Sequence, residues 1–366
     1  MRIVHVVGAR PNFMKVGPVL RALALHRMVD QRLIHTGQHY DVNMSDVFFR
    51  ELEIPAPDIN LAVGSGTHAT QTSEIMTRIE PVLAKARPDL VLVYGDVNST
   101  LSTALVCAKL GIKLGHVEAG LRSFDRTMPE EINRLVTDQL SDFLFTPSED
   151  GDINLTREGV DTSKIFRVGN VMIDSLIRLL PFAADRVKPA VPERYALVTM
   201  HRPANVDDLG ALREILESLV ELSRDLTIIF PVHPRTRERI AECNTSLAGI
   251  ELLGPLPYID FLGLQSRATL VITDSGGIQE ESTYLGIPCI TLRENTERPV
   301  TISKGTNVLV GRDRDKLRAE VQQVLNRGSK RATVPPLWDG HAGERIAAIL
   351  TDPRVSQMSP ASSCCA

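Results

Sequence analysis

Short apolar runs rich in β-branched residues alternate with longer amphipathic stretches along most of this chain. Short runs that are almost wholly apolar are typical of strands in a parallel sheet that is covered on both faces. The stretches between them are long enough to form the helices that connect parallel strands. The alternation therefore predicts repeated βα units and an α/β fold class.

The predicted elements form two series. The first has strands at residues 2–8, 32–36, 90–94, 113–117, 143–146 and 165–168, and helices at 16–26, 71–86, 100–110 and 129–140. The second has strands at residues 195–200, 226–232, 250–253, 270–273, 289–292 and 308–310, and helices at 212–224, 277–285 and 315–326. Each series is long enough for its own doubly wound sheet, so the chain predicts two such domains.

The connection between the two series is predicted at residues 181–193, which contain three prolines and show no periodicity. A chain of 366 residues also exceeds what one hydrophobic core usually accommodates. We therefore expect a first domain at residues 1–182 and a second at residues 183–351. The Ser, Ala, Pro and Cys residues at 352–366 predict a flexible tail.

Composition and motif content argue against several classes of function. With 41 basic and 45 acidic residues the formal charge is −4, which offers no electrostatic case for binding a long nucleic acid. No apolar run approaches the roughly 20 residues that span a bilayer, and no charged leader precedes the first strand, so a cytoplasmic location is expected. The sequence has no CxxC or HExxH motif, and no metal site is predicted.

Ligands of open α/β sheets bind beyond the carboxyl ends of the strands, so polar residues that follow each strand are candidates for a site. Residues 8–15 follow the first strand and contain one glycine and two cations, Arg10 and Lys15. This segment is neither GxGxxG nor GxxxxGK[ST], so neither a dinucleotide site nor a P-loop is predicted. Arg10 and Lys15 are consistent both with an anion site and with solvated charges at the start of a helix.

Two carboxylates end adjacent predicted strands, Asp96 after residues 90–94 and Glu118 after residues 113–117. Asp96 has an alternative role as the N-cap of the helix that begins near Ser99. Glutamate is a poor cap, and Glu118 follows apolar strand residues. A carboxylate buried there needs a partner or a raised pKa, and either condition suits proton transfer.

A third carboxylate, Glu130, opens the next predicted helix, and Arg134 follows on the same helical face. An ordinary ion pair between these two residues is the alternative reading. Three carboxylates near the strand ends of one sheet nevertheless provide what removal of a proton from carbon requires. They offer a base on one face and an acid or a second base on the other.

The second series places different chemistry at its strand ends. His201 and Arg202 follow its first strand, and an adjacent anion site would suit this pair. Ser275, Gly276 and Gly277 lie between a strand and a helix, where glycines let a ligand approach the backbone and the helix N-terminus suits a diphosphate. A structural glycine-rich turn is the alternative.

Charged residues flank this turn. Glu280 and Glu281 lie on the first turn of the following helix, where one of them is placed to accept the hydroxyls of a ribose. Arg298 follows the next strand and would add positive charge. The second domain is therefore expected to bind a nucleoside diphosphate.

Taken together, these segments resemble the non-hydrolysing UDP-N-acetylglucosamine 2-epimerase family in order and spacing from residue 2 to about residue 350. The segments that carry the resemblance are Gly8-Ala9-Arg10-Pro11, Thr36-Gly37-Gln38-His39, Gly95-Asp96, residues 116–122, Pro129-Glu130-Glu131, His201-Arg202 and residues 274–281. The resemblance implies a GT-B architecture, in which two Rossmann-like domains face each other across a cleft. It also implies a homodimer, a small-molecule UDP-sugar substrate, and no cofactor, nucleic acid or membrane partner.

The family's reaction removes the C2 proton of the sugar and expels UDP from C1, and the resulting 2-acetamidoglucal is then reprotonated on the other face. By motif position, the resemblance assigns catalytic roles to Asp96, Glu118, Glu130 and His201. It assigns substrate binding to Arg10, Lys15, Arg134, Phe261, Ser275, Gly276, Gly277, Glu281 and Arg298. Among these, Ser275, Gly276 and Gly277 would bind phosphate, Glu281 the ribose and Phe261 the uracil.

Three departures from the family pattern leave the sugar open: Asn12 and Ala204 each replace a common glutamate, and Leu256 replaces a frequent glutamine. Alternatives are a 2-epimerase of an oxidised diacetamido UDP sugar, a hydrolysing epimerase, a GT-B glycosyltransferase and a non-catalytic UDP-sugar-binding protein. Tyr40, Asp41 and Thr70 also stand where bacterial members use other residues to bind an anionic effector, so no such effector is expected.

Overall fold

The computed structural model describes residues 1–38, 53–186, 191–328 and 331–356. The contacts within it divide the chain into two compact units. The first comprises Met1–Ile177 together with Pro336–Ala366, and the second comprises Arg178–Pro335. Within the described residues, no helix is both long enough and apolar enough to cross a membrane.

The first unit is built on a sheet with seven strands within the described residues, in the order β3-β2-β1-β4-β5-β6-β7. Every neighbouring pair is parallel. The strands are β1 (Arg2–Val7), β2 (Asp30–His35), β3 (Ile59–Asn60), β4 (Leu90–Tyr94), β5 (Leu114–Val117), β6 (Phe143–Thr146) and β7 (Ile165–Arg167). The helices are α1 (Arg10–Ala24), α2 (His68–Ala86), α3 (Asn98–Leu110), α4 (Pro129–Leu140), α5 (Glu149–Arg157) and α6 (Val171–Ala184), with a 3₁₀ turn at Thr162–Lys164.

The second unit repeats this plan with six strands within the described residues, in the order β10-β9-β8-β11-β12-β13, and all of its pairs are parallel. The strands are β8 (Tyr195–Thr199), β9 (Thr227–Pro231), β10 (Ile250–Leu253), β11 (Leu270–Thr273), β12 (Cys289–Thr291) and β13 (Asn307–Leu309). The helices are α7 (Pro203–Val206), α8 (Leu209–Leu222), α9 (Pro234–Glu242), α10 (Tyr258–Arg267), α11 (Gly276–Leu285), α12 (Val300–Ser303) and α13 (Arg314–Arg327).

The predicted α/β fold class, with two Rossmann-like doubly wound domains, is confirmed. Strands such as β4 and β11 are buried along their whole length, which explains why they read as uninterrupted apolar runs. In each sheet the strand order reverses at one place, between β1 and β4 in the first and between β8 and β11 in the second. Ligand sites of doubly wound sheets form at such points, and the candidate residues follow these same strands.

The second domain was expected to comprise residues 183–351. The C-terminal segment, from Pro336 onward, belongs instead to the first unit. It forms α14 (Ala342–Thr351) and α15 (Pro353–Ser356). The buried Asp174 accepts hydrogen bonds from the backbone N–H groups of Ala342 and Gly343 at 3.2 and 2.8 Å and so caps α14. A Cβ on Gly343 would lie 2.7 Å from the carbonyl oxygen of Pro18, so α14 approaches α1 closely. Most of the expected tail, from residue 357 onward, lies outside the described residues.

Helix α1 begins six residues before the predicted start because its first turn is stabilised by side chains that the apolar periodicity does not register. Pro11 stands in the first turn, where a missing N–H costs nothing. The buried Asn12 accepts hydrogen bonds from the N–H groups of Gly8 and Ala9, each at 3.0 Å, and donates to the carbonyl of Tyr94 at 2.8 Å. Asn12 therefore ties the turn after β1 to the end of β4.

Candidate functional site

Asp96 follows β4 at the reversal point of the first sheet. Helix α3 has Val97 at its N-cap position and no side-chain cap, so the alternative that Asp96 caps this helix is wrong. The Asp96 side chain is 23% exposed and forms an ion pair with the buried Arg134. The side-chain amide of Asn133 also donates to the Asp96 carbonyl at 2.8 Å. The start of α4 therefore holds Asp96 at the sheet edge.

Arg134 pairs with Glu131, three residues before it, and the alternative ion pair with Glu130 does not form. Its Nη2 and Nε atoms lie 2.6 and 3.1 Å from Glu131 Oε2. Burial raises the pKa of Glu131, but the N–H of Ser123 and the Arg134 guanidinium hold that pKa below its usual value. Residues three and four positions before Arg134 share its helical face, so the sequence does not distinguish Glu131 from Glu130 as its partner. Sequence reasoning therefore missed this role of Glu131. Direct binding of substrate by Arg134 stays a prediction.

Glu130 is partly buried on the first turn of α4. Among the described residues, no group is hydrogen-bonded or ion-paired to its carboxylate. A carboxylate beside the Asp96–Arg134 pair with no fixed partner of its own is well suited to exchange a proton with a ligand.

Glu118 follows β5 and is buried with a left-handed backbone, φ 77°. Its Oε2 atom lies 2.8 Å from the Nζ of Lys15, which is buried as well. The partner that a carboxylate buried at this position requires is therefore Lys15. A Cβ on Gly95 would lie 2.6 Å from the same Nζ, so the glycine before Asp96 leaves room for the lysine. This arrangement brings Lys15, Glu118 and the Gly95-Asp96 turn together.

In the second unit, the buried Asp274 organises the turn after β8. It accepts hydrogen bonds from the backbone N–H groups of His201 and Arg202 and from the side chain of Asn205, at 3.0–3.2 Å. The Nδ1 of His201 lies 3.1 Å from Asp274 Oδ1, while 61% of the His201 side chain is exposed. Burial raises the pKa of Asp274, but His201 and its other donors hold it below its usual value. Nδ1 is thus engaged, and Nε2 remains to face a ligand.

The turn Ser275-Gly276-Gly277 opens helix α11 next to Arg298. A Cβ on Gly276 would lie 2.3 Å from Arg298 Nη1 and 2.7 Å from Glu297 Oε1. Only glycine therefore lets this helix start approach the buried guanidinium. The N–H of Ser275 donates to Thr273 Oγ1 at 3.0 Å. The first N–H groups of a helix have no partner within it, so the glycines at the start of α11 combine such donors with an adjacent cation.

Arg298 itself is held by two buried carboxylates. Its Nε lies 3.0 Å from Glu280 Oε1, and its Nη1 pairs with Glu297. Glu297 also binds Arg293 at 2.7 Å. Burial by itself raises the pKa of Glu297, but Arg298 and Arg293 outweigh it and hold that pKa far below its usual value. With Arg202 at 3.6 Å from Glu297, three arginines surround two carboxylates. The excess positive charge suits a diphosphate.

Glu281 is buried on α11, and the Tyr258 hydroxyl donates to its Oε1 at 2.8 Å. Its Oε2 is buried without a hydrogen-bond partner among the described residues. Burial raises the pKa of Glu281 to about 7. The pair of adjacent ribose hydroxyls expected at Glu281 would supply the donors that this oxygen lacks. Sequence reasoning missed Tyr258, which binds Glu281 from α10, the preceding helix.

UDP affinity is expected to rise with pH through about pH 7, because ribose hydroxyls bind the ionised form of a carboxyl group whose pKa is about 7. Below that pH, Glu281 is protonated and accepts hydrogen bonds less well. Titration calorimetry at about pH 6 and about pH 8 measures the change in UDP affinity. The Glu281→Gln variant is the control, because it lacks the part of the pH dependence that comes from Glu281 and keeps the part that comes from UDP itself. An identical pH dependence in both proteins would contradict the assignment.

The roles assigned to the site residues stay predictions, and this includes three calls that involve Phe261, Arg10 and an effector site. Phe261 is partly buried on α10 and packs against the apolar cluster that contains Tyr195 and Leu197, and nothing here tests a contact with uracil. The side chain of Arg10 lies outside what the structure describes. Tyr40 and Asp41 also lie outside the described residues, so the expected lack of an anionic effector site is untested.

Comparisons with known proteins agree with these features. A family model described as UDP-N-acetylglucosamine 2-epimerase matches residues 21–351. The UDP-N-acetylglucosamine 2-epimerase of Methanocaldococcus jannaschii is 46% identical over 96% of this chain and 99% of its own. A crystal structure of the M. jannaschii UDP-GlcNAc 2-epimerase in complex with UDP-GlcNAc and UDP superposes with a TM-score of 0.89, again covering 96% and 99% of the two chains.

A second kind of relative acts on a different sugar. The UDP-2,3-diacetamido-2,3-dideoxy-D-glucuronate 2-epimerase of Pseudomonas aeruginosa is 42% identical over 86% of this chain and 90% of its own. Both relatives share 2-epimerisation of a UDP sugar in their names. The match to the family model covers most of the chain. The chain therefore belongs to the UDP-N-acetylglucosamine 2-epimerase family.

Proposed function

We propose that this chain interconverts UDP-N-acetylglucosamine and UDP-N-acetylmannosamine. The observation that carries the proposal is the group of carboxylates at the reversal point of the first sheet. Glu118 is paired with Lys15 beside the Gly95-Asp96 turn, and Glu130 lies on the helix whose Arg134 binds Asp96. Inversion at C2 requires two proton-transfer groups, and this edge of the sheet supplies them.

The proposed reaction proceeds by elimination and re-addition. One carboxylate removes the C2 proton, the electron pair of that bond forms a C1–C2 double bond, and the C1–oxygen bond breaks so that UDP leaves. UDP then adds back to C1 while a second group protonates C2 on the opposite face. Asp96, Glu118 and Glu130 are the three candidates for these transfers.

We assign the departing diphosphate to residues of the second unit. The negative charge that develops on UDP as the C1–oxygen bond breaks is the largest electrostatic demand of the step. His201, Arg298 and the helix start at Ser275-Gly276-Gly277 supply donors and positive charge for it, and Glu281 is assigned to the ribose. Lys15 is buried against Glu118, so we assign it to orienting that carboxylate as well as to binding anions.

The local charge favours a neutral sugar over a uronate. At the strand ends of the first unit, the described carboxylates Asp96, Glu118, Glu130 and Glu131 outnumber the cations Lys15 and Arg134. A second carboxylate, at C6 of a substrate, would be repelled there. The diacetamido glucuronate remains the second candidate, because the P. aeruginosa relative acts on it and is nearly as similar to this chain.

Incubation with UDP-N-acetylglucosamine in deuterated water is expected to give UDP-N-acetylmannosamine that carries deuterium at C2. One group removes the C2 proton and a different group returns a proton to C2. Since a proton held by a carboxylate exchanges with solvent, the hydrogen returned in deuterated water is deuterium. Proton NMR detects the loss of the C2 signal in the product. Product that retains the original hydrogen would contradict the elimination mechanism.

The same NMR experiment with a panel of UDP sugars separates the alternatives. Turnover of the diacetamido glucuronate alone would favour that sugar, and release of UDP with free N-acetylmannosamine would indicate a hydrolysing enzyme. Transfer of the sugar to an acceptor would indicate a glycosyltransferase, and binding without turnover a binding protein. The homodimer, the cytoplasmic location, metal-free turnover and a role in polysaccharide biosynthesis stay predictions.

A further inference from the structure

His116 and Asp138 form a fully buried pair behind the catalytic turns of the first unit. His116 lies on β5 and Asp138 on α4, and neither side chain is exposed. The Nδ1 atom of His116 lies 2.6 Å from Asp138 Oδ1. No step of the proposed reaction uses either residue. A buried ionisable pair at this position needs an explanation, because burying charge is costly unless it is compensated.

The pair contacts the two turns that present the proposed catalytic carboxylates. The Nε2 atom of His116 lies 2.8 Å from the carbonyl oxygen of Gly95, in the turn that presents Asp96. The Oδ2 atom of Asp138 accepts a hydrogen bond at 3.1 Å from the N–H of Gly120, in the turn that presents Glu118. A chain of three hydrogen bonds therefore runs from one turn to the other.

Both turns have backbones that need such support. Gly95, Glu118 and Gly120 all have positive φ, at 63°, 77° and 81°. For Glu118 this left-handed conformation is unfavourable, since its Cβ crowds the backbone. The hydrogen bonds from His116 and to Asp138 act next to these three residues, so they restrain the parts of the backbone with the least intrinsic preference for their observed conformation.

The acceptors around His116 determine where its protons lie. The Gly95 carbonyl can only accept, so Nε2 must donate. Asp138 also binds the Arg122 guanidinium at 2.7 Å, and Arg122 in turn binds Glu158 at 2.6 Å. Although burial raises the pKa of Asp138, His116 and Arg122 hold it below its usual value. The Nδ1 atom of His116 faces Asp138 Oδ1, so the ring links the two turns through both of its nitrogens.

We propose that His116 and Asp138 are positioning residues that hold the Asp96 turn and the Glu118 turn at the separation that inversion at C2 requires. The inference rests on the proposed function, because it takes these two carboxylates as proton-transfer groups. It assigns no chemical step to the pair. The two residues act through the backbone of Gly95 and Gly120, and the ring between them keeps both contacts in place at once.

A matched pair of variants tests which contact matters. The side-chain nitrogen of a glutamine occupies nearly the place of Nε2, and that of an asparagine nearly the place of Nδ1. His116→Gln therefore keeps the donor to Gly95, whereas His116→Asn keeps only the donor to Asp138. We expect kcat to fall about 100-fold in His116→Asn and less than about 10-fold in His116→Gln, with KM little changed in both.

A merely structural role predicts a different result. Both variants lose the buried ring, so their melting temperatures should fall similarly, and kcat would then fall equally in both. Equal kcat values would overturn the proposal. The control is Glu158→Gln, which removes the far end of the same ion-pair network without touching either turn, and its kcat is expected to match the wild type.

Two further measurements keep the proposal testable if the His116 variants do not fold. In Asp138→Asn, which keeps the size and one acceptor but loses the charge, kcat is expected to fall about 10–100-fold, and an unchanged kcat overturns the proposal. Nitrogen-15 NMR of histidine-labelled wild-type protein is expected to show a proton on His116 Nε2, the atom that donates to the Gly95 carbonyl, and an Nε2 without a proton overturns it. Wild-type protein that fails to epimerise UDP-N-acetylglucosamine would contradict the proposed function instead.

Discussion

Replacing Glu118 by glutamine is expected to lower kcat by about 10²–10⁴-fold while the affinity for UDP changes little, since a lost general acid or base typically has this effect. Glutamine has nearly the same shape but neither gives nor takes a proton at neutral pH. Apart from Arg10 and Lys15, the residues assigned to UDP lie in the second unit, so the change should leave most contacts with UDP intact. Steady-state kinetics with UDP-N-acetylglucosamine and calorimetry with UDP measure the two quantities.

The loss of charge at Glu118 also leaves the ammonium of Lys15 buried without its carboxylate. Removing one partner of a buried pair costs about 3–5 kcal/mol, so the melting temperature must be measured alongside kcat. Asp174→Asn is a matched control, because Asp174 is a buried carboxylate of the same unit that caps α14 and lies outside the proposed site. The Asp174→Asn variant is expected to have a lower melting temperature and the wild-type kcat. Near-normal kcat in Glu118→Gln would favour a protein that only binds UDP sugars.

The strands were predictable because each is a local pattern. All twelve predicted strands are present, to within two residues at either end. The strand that was missed, β3, has only Ile59 and Asn60, and it is defined by pairing with β2 and not by its own sequence. The start of α1 was missed for a related reason, since Asn12 stabilises it through contacts with residues before the helix and with Tyr94.

The placement of the C-terminal helix was not predictable from local pattern at all. The apolar face of α14 is compatible with packing on either unit. Its position is set by Asp174, whose carboxylate caps the helix, and by Gly343, which permits close approach to Pro18. Both interactions join residues more than 160 positions apart in the chain. Sequence periodicity carries no information about contacts at that separation.

The candidate site likewise contains residues that local patterns predict and residues that are held by distant contacts. The strand ends identified Asp96, Glu118 and His201 because doubly wound sheets concentrate function there. The sequence did not reveal their partners, and it left open whether Arg134 would bind Glu130, which it does not. The positioning contacts of Asp274 and Asp138 were missed, since each aspartate forms hydrogen bonds with a turn that is distant in the sequence.

Replacing Gly276 by alanine is expected to weaken UDP binding about 100-fold. The new Cβ would lie 2.3 Å from Arg298 Nη1, so the guanidinium must leave its place beside the start of α11. A hydrogen bond to a charged group contributes about 1.5–3 kcal/mol, and the methyl group also obstructs the approach of a phosphate to the first N–H groups of the helix. A combined loss of about 3 kcal/mol corresponds to about two powers of ten in the dissociation constant.

Gly210→Ala provides the matched control, because Gly210 also lies on the first turn of a helix in the same unit. A Cβ there would meet only the side-chain Oδ1 of Asp208, at 3.2 Å, which can move by the few tenths of an ångström required. Calorimetry with UDP is expected to give the wild-type dissociation constant for Gly210→Ala and the weakened one for Gly276→Ala. Wild-type affinity in Gly276→Ala would mean that the diphosphate does not approach this helix start, and Arg298 would then serve only to neutralise Glu280 and Glu297.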